Sequence, residues 1–407
     1  MQFSEIINQK SVKSRLAEMV ENNRLSHALL FLSNEGSGAL PLAIAFAQYL
    51  VCEKVSSKRF AVGSLGPGLS LFGDEVPDSL SNLQPQRLTD ACGACPGCIK
   101  AQQLIHPDIH FSYPVVTKKS GTPPISTDYI VEWRNFIKET PYGNIYDWLQ
   151  FIGAENKQGN ITANECNDII RKLNLKSFES EYKILILWMP EFLGTEGNKL
   201  LKLIEEPPPN TLFILVAENE SLILPTIVSR CQLIKIPALE IKDVEEALIR
   251  KNNTSPATAR QIAAISDGNY REALQFLENK EENWETLLRD WLNSILKTGP
   301  VAQTKWVEEI SRLGREKQKQ FLRYFNHLLE QSIRLRIIGS DSGNGSEQDF
   351  AERLNKIAGI EQQQAIIEEL DRASYYIERN ANVKILFHAL TIKLYHIIQD
   401  KIVFLTD

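Results

Sequence analysis

Hydrophobic residues along this chain follow two regimes, and the change comes near residue 237. Before it, short unbroken apolar runs occupy 27–33, 109–116, 183–189, 211–217 and 232–236, each bounded by turn or helix signals. Continuous rather than alternating runs suit strands covered on both faces, as in a parallel sheet. Segments of helical spacing lie between them. Residues 41–51 follow the first run, and Cys166, Ile169, Ile170 and Leu173 share one face over 164–173. The stretch 200–204 runs into Pro207-Pro208-Pro209, which stops a helix. Over 127–140, Tyr129, Ile130, Trp133, Phe136 and Ile137 form a stripe that predicts a helix packed on the sheet. Strand and helix in alternation predict a doubly wound α/β domain.

After residue 237 the strand signal ends. Helices are expected over 241–252 and 257–266, and an all-helical region from about 281 to the end. Phe321, Phe325, Leu328 and Ile333 define one stripe there, and Leu386, Leu390, Leu394 and Ile397 another. Residues 339–346 read as a loop between helices. Two further stretches interrupt the first regime. Residues 55–89 are rich in Ser, Gly and Pro and read as a flexible insertion, and 117–126 as a polar loop.

Composition narrows the class. A chain of 407 residues with 43% hydrophobic and 24% charged residues fits a soluble protein of two or three domains. The formal charge of -6 argues against a free-standing nucleic-acid binder. No apolar run is long enough to span a membrane, and the first ten residues lack a signal pattern, so a cytoplasmic location is expected. In that compartment the six cysteines are not expected to pair as disulfides.

Three of those cysteines stand at two-residue gaps, in Cys92-Gly93-Ala94-Cys95-Pro96-Gly97-Cys98. Zinc takes four tetrahedral ligands and favours thiolates, and Gly and Pro let the loop turn tightly around the ion. Cys52 is the leading candidate for the fourth ligand, with His106 and His110 in competition. A ferredoxin-type iron–sulfur run needs a cysteine three residues beyond the third; that position is Gln102. Four thiolates would close the site, so its role is structural. Cys166 lies on a helix face and is expected to be plain buried packing.

The first apolar run leads into Ser33-Asn34-Glu35-Gly36-Ser37-Gly38-Ala39-Leu40-Pro41, with a helix predicted to begin at Pro41. This is the layout of a phosphate-binding loop, G-x-x-x-x-G-K-[ST]. The opening glycine is replaced by Ser33, the phosphate-binding lysine by Ala39 and the Mg²⁺-binding hydroxyl by Leu40. Gly36 and Gly38 remain, so the loop is degenerate rather than absent.

A longer block follows: Asn198-Lys199-Leu200-Leu201-Lys202-Leu203-Ile204-Glu205-Glu206-Pro207-Pro208, a strand, then Leu224-Pro225-Thr226-Ile227-Val228-Ser229-Arg230-Cys231-Gln232. With Leu25-Ser26-His27-Ala28-Leu29-Leu30-Phe31, the clustered cysteines and Gly268-Asn269-Tyr270-Arg271-Glu272-Ala273-Leu274, it resembles the clamp-loader branch of the AAA+ ATPases over most of residues 1 to 280. The pattern is most similar to the delta-prime family of bacterial DNA polymerase III clamp-loader subunits.

The resemblance implies an AAA+ core over 1–237 with a zinc-binding insertion, a helical lid over 238–280, and a collar domain over 281–407 that assembles the subunits into a ring. The partners implied are gamma/tau and delta subunits, the sliding clamp, and primed DNA within the complex. In the ATP-hydrolysing gamma/tau members the loop Lys and Thr are present and a Walker B acidic pair ends the third strand. Here Trp188 and Met189 stand at those positions, and Glu191 lies too far along. Phosphoryl transfer depends on positioned charge, so no ATPase activity is expected of this chain. Arg230 matches the residue that points at a neighbour's ATP as an arginine finger. Arg271 matches the sensor-2 arginine, for which a purely structural role is an equal expectation. Ser229 would help cap its turn, and Cys231 would be packing. The alternatives are a divergent active ATPase of the gamma/tau type, disfavoured by Ala39, Leu40 and Trp188, and a zinc-dependent nucleic-acid-binding module, disfavoured by the acidic charge.

Overall fold

The computed structural model describes residues 1–57, 89–118, 121–155, 157–278, 284–338, 346–379 and 381–401. Most of the expected 55–89 insertion and of the 339–346 loop therefore lies outside the described residues. The chain packs as two compact units. One comprises Met1–Asn252 with Gly268–Arg271, and the other Asn253–Asp267 with Glu272–Asp407. The boundary falls inside the 238–280 segment, in the first turn of the helix Tyr270–Glu278.

The first unit is built on a parallel sheet of β1 (Ala28–Ser33), β2 (Ile109–Ser112), β3 (Lys183–Trp188), β4 (Thr211–Ala217) and β5 (Gln232–Ile236), in the order β2-β3-β4-β1-β5. Both faces are apolar, as unbroken runs require. Leu29, Phe31, Ile184, Ile186, Trp188, Leu212 and Ile214 pack to one side. Leu30, Leu185, Leu187, Phe213 and Leu215 pack to the other. The helices Ala39–Leu50 and Ile130–Glu139 cover the first face, and Ala163–Asn174 the second.

Three boundaries differ from the sequence expectation, each for a local reason. The helix after β1 begins at Ala39, not Pro41, because Gly38 takes a left-handed conformation (φ 90°) and ends the turn. Pro41 then sits inside the first turn, where no intrahelical N–H is needed. β2 stops at Ser112, because Pro114 cannot donate to a ladder. Val115 makes only an isolated antiparallel bridge, to Asn160. β3 stops at Trp188, since Met189 is left-handed (φ 56°).

The second unit is helical in its described residues. It contains Pro256–Ser266, Trp284–Asn293, Pro300–Arg312, Arg315–Ile338, Ser346–Ile357, Ile360–Glu378 and Val383–Gln399. Trp291 stacks on Trp306 with ring centroids 4.5 Å apart, ringed by Phe321, Phe325 and Phe387. The buried indole N–H donates to Thr391 Oγ1 at 3.0 Å. Of the expected stripes, Phe321, Phe325, Leu328, Leu390, Leu394 and Ile397 are buried, whereas Ile333 and Leu386 are half-exposed. Among the described residues no helix is long and apolar enough to cross a membrane.

Candidate functional site

In a doubly wound sheet, ligands bind beyond the carboxyl ends of the strands where the strand order reverses. Here that point is the C-terminal end of β1, between β4 and β5. A cleft lies there, lined by Ser33, Gly36, Gly38, Ala39, Leu40, Trp188 and Glu218 among others, and its volume is about 30 Å3. Small-molecule sites run to roughly 300–1,000 Å3, so this cleft has room for water and little else.

The cleft is narrow because the chain fills it. A Cβ built on Gly36 would stand 1.9 Å from Asn269 Oδ1, and one on Gly38 2.8 Å from Tyr142 Cε1. Both glycines have positive φ, 71° and 90°. Their missing side chains, which in a phosphate loop let backbone approach an anion, here let other protein atoms approach. Tyr142 is anchored by accepting the Ile7 N–H at 3.0 Å, and it meets Tyr270 edge to face at 5.0 Å.

Arg271 closes the site chemically. Its side chain is 3% exposed. Nη2 donates to Asp147 Oδ1 at 2.6 Å, Nε donates to Asp147 Oδ2, and Nη1 donates to Glu35 Oε1 at 2.7 Å. The forked guanidinium thus grips two protein carboxylates, one on the degenerate loop and one on the helix Ile145–Phe151, in the manner in which arginine grips a phosphate.

The positions expected for metal-site acids are occupied by packing. Trp188 is buried, with its ring 5.3 Å from Trp133 and 6.1 Å from Phe136. Trp133 stacks on Tyr113 at 3.9 Å. Met189 is buried too, and its N–H bonds Val216 O at 2.9 Å. Glu191 accepts the backbone N–H groups of Glu218 and Asn219 at 2.7 and 2.8 Å. Burial raises its pKa despite those bonds.

Elsewhere on the same unit, Cys52, Cys92, Cys95 and Cys98 bring their sulfurs within 4.8 Å of one another. Cys52 Sγ accepts the Cys92 N–H, Cys92 Sγ that of Cys95, and Cys95 Sγ that of Cys98, each at 3.4 Å. Backbone donors aimed at sulfur favour thiolate, and four sulfurs on a tetrahedron about zinc stand roughly 3.8 Å apart for Zn–S bonds of about 2.3 Å. Cys92 and Cys98 are 3.9 Å apart. The Cys98 thiol, bonded to Cys52, holds the Cys52 pKa down to about 4. His106 is turned to Glu179, at 3.4 Å, and neither it nor His110 joins the cluster. Cys166 is buried, and its pKa is pushed up to about 11 by burial, as is that of Cys231.

Arg230 lies between the short helix Pro225–Val228 and β5. Its side chain is 34% exposed. Nε donates to Glu205 Oε1 at 2.6 Å, with Nη2 on the same oxygen, and Nη1 donates to Thr226 O at 2.7 Å. Ser229 Oγ donates to Thr226 O at 3.2 Å, closing the turn.

Sequence reasoning singled out Ser33, Gly36, Gly38, Ala39, Leu40 and Trp188, and the structure gathers them in one cleft. It missed Asp147, Tyr142 and Asn269, and gave Glu35 no role. Asp147 and Arg271 are 124 positions apart, and no spacing rule links them. Glu205 was quoted only as part of the Glu-Glu-Pro-Pro run, and its adjacency to Arg230 comes from the fold.

The family described as "DNA polymerase III, delta subunit" matches residues 8–64 and 78–240, more than half of the chain. This chain belongs to that family. The matched span contains the degenerate loop, the four cysteines and Arg230. Among curated relatives, the DNA polymerase III subunit delta' of Bacillus subtilis (strain 168) is 25% identical over 273 residues, covering 67% of this chain and 60% of the relative. The DNA polymerase III subunit tau of the same organism is 22% identical over 340 residues, covering 81% of this chain and 46% of the relative. The chain thus spans less than two thirds of the length of either. A solved Thermotoga maritima structure, described as a DNA polymerase III, gamma subunit-related protein, aligns with 94% of this chain and 98% of its own. Its identity is 14% and its TM-score 0.34.

Proposed function

We propose that this chain is a delta-prime-like subunit of a DNA polymerase III clamp loader that has no ATPase activity of its own. It joins gamma/tau and delta subunits in the complex that loads the sliding clamp on primed DNA, and Arg230 acts in trans on the ATP of a neighbour. Residues 1–237 serve as the AAA+ core, 238–280 as the lid and 281–407 as the assembling collar. The observation that supports this most is the cleft. It lacks the Lys, Thr and Walker B acids, its space is about 30 Å3 with Tyr142 in its wall, and Asn269 and the Arg271–Asp147–Glu35 cluster pack against its loop.

Hydrolysis needs a lysine on the phosphates, Mg²⁺ held by hydroxyl and carboxylate, and an arginine on the transferring group. The loop carries no lysine or hydroxyl and β3 ends without a carboxylate, while Arg230 lies outside the cleft, partly exposed. Titration of the purified chain with ATP should give no saturable binding and no phosphate release. In a complex reconstituted with gamma/tau and delta subunits, Arg230→Ala should leave assembly intact and lower DNA- and clamp-stimulated hydrolysis; full stimulation would overturn the finger assignment.

The four cysteines fit a structural Zn²⁺ site. One zinc per chain is expected from metal analysis of the protein purified without chelator. Cys95→Ser should lose it; equal zinc in both would remove Cys95 from the ligand set.

A further inference from the structure

Glu205 stands out among the charged groups that the nucleotide chemistry does not use. It is the last residue of the helix Leu201–Glu205, which Leu203 and Ile204 bury against the protein, and Pro207–Pro209 follow it at once. Its side chain is 45% exposed, yet a single oxygen, Oε1, accepts the Nε–H of Arg230 and pairs ionically with Nη2. Thr226 O takes Nη1 at 2.7 Å, and Ser229 Oγ lies 3.4 Å from the same nitrogen. Ile227, in the turn that carries these acceptors, is buried. Two short segments with buried anchors therefore hold one guanidinium, one at its side edge and one at Nη1.

A guanidinium has five N–H donors. Glu205 takes the side edge, formed by Nε and Nη2, and Thr226 O and Ser229 Oγ both accept from Nη1, which leaves an Nη2–H at the far end. That N–H can donate to a phosphate oxygen. An exposed ion pair of this kind contributes little to stability, so Glu205 is poorly explained as a fold-stabilising group. It is well explained as a group that fixes a long side chain in one rotamer.

We propose that Glu205 is a positioning residue for Arg230. It orders the guanidinium before a neighbouring subunit docks and aims its free end at the anion that neighbour presents, a nucleoside triphosphate. This rests on the in-trans role given to Arg230 above. Arginine carries rotamer entropy worth about 2 kcal/mol, and fixing it in advance removes part of that cost from the reactive encounter.

The test is single-turnover ATP hydrolysis by the reconstituted complex, comparing wild type, Glu205→Ala, Glu205→Gln and Arg230→Ala. Glu205→Ala should slow hydrolysis at the site facing Arg230 by about 3- to 10-fold, or about 0.7–1.4 kcal/mol at 1.36 kcal/mol per decade. The ATP concentration at half-saturation should stay unchanged, because Glu205 does not touch nucleotide. Glu205→Gln, whose amide oxygen can still accept the Nε–H, should recover most of the rate. A rate equal to wild type in Glu205→Ala, or a faster one, would overturn the positioning role while Arg230→Ala remained slow. If Arg230→Ala itself hydrolyses at the wild-type rate, the finger assignment fails first, and the two failures are told apart.

Discussion

Two arginines of the first unit each pair with a carboxylate, one in the interior and one near the surface. Arg271, 3% exposed, gives N–H groups to both oxygens of Asp147 and to Glu35. Arg230, 34% exposed, gives its Nε–H to one oxygen of Glu205, with Nη2 in ion-pair contact with the same oxygen, and bonds Thr226 O and Ser229 Oγ through Nη1. Removing one partner of a buried pair strands a charge in the interior at a cost of about 3–5 kcal/mol, whereas an exposed pair is worth roughly 0–1 kcal/mol. The first arginine is bound so firmly that it is part of the fold. The second is held at the surface, where a group from outside can reach it. Burial, more than bonding pattern, separates an arginine locked into the fold from one open to a partner.

The largest effect expected is on rate, at Arg230. An arginine finger in trans contributes about 10³- to 10⁵-fold, or roughly 4–7 kcal/mol. Arg230→Ala should therefore reduce single-turnover hydrolysis at the facing site by about that much. Arg271→Ala should alter folding instead. Its urea midpoint should fall by the equivalent of about 3–5 kcal/mol, because Glu35 and Asp147 would be left beside a cavity with no cation. A loss below about 1 kcal/mol would show that water reaches these carboxylates, and the contrast between the two sites would collapse.

A smaller effect sharpens the account of the cleft. Gly36→Ala places a methyl 1.9 Å from Asn269 Oδ1 on a backbone with φ 71°. The strain of a non-glycine residue there costs about 1–3 kcal/mol, and the contact adds to it. In a cleft that opened to admit nucleotide, Asn269 would swing away and the backbone strain alone would remain. Thermal denaturation of Gly36→Ala beside Asn269→Gly and the double variant separates the two: coupling between the substitutions is expected, and simple additivity would mean that Asn269 does not fill the loop.

The five strands were legible because both sheet faces are buried, which writes an unbroken apolar run into each. The stripe of Tyr129, Trp133, Phe136 and Ile137 was legible for the same reason, since packing imposes periodicity. The absence of the phosphate-loop lysine and hydroxyl was legible because Ala39 and Leu40 stand in a recognisable glycine loop. What packs around that loop was not. Asp147 reaches Arg271 across 124 positions, from a helix whose apolar pattern says only that Trp148 is buried. A carboxylate on a helix surface has the same local signature whether it meets water or a buried arginine. The start of the loop helix was misplaced by two residues because Pro41 is a strong local signal and the left-handed turn at Gly38 a stronger one.

The smallest effect isolates the comparison most cleanly, because it asks the same substitution to behave differently in two places. Glu35→Gln and Glu205→Gln each remove one negative charge from an arginine while keeping an acceptor oxygen. At Glu35 the partner guanidinium is buried, so a weakened charge-assisted bond should cost about 1–3 kcal/mol of stability. Salt up to 1 M should barely change that cost, since buried pairs are screened little. At Glu205 the pair is exposed, its cost should stay within about 0.5 kcal/mol, and salt should erase it. Equal costs at both positions would mean that Arg230 is as firmly fixed as Arg271. An arginine fixed that firmly could not adjust its free end to a phosphate presented by a neighbour. The stability of Glu205→Gln, measured on the isolated chain with no partner and no nucleotide, therefore bears directly on whether Arg230 is free enough to act.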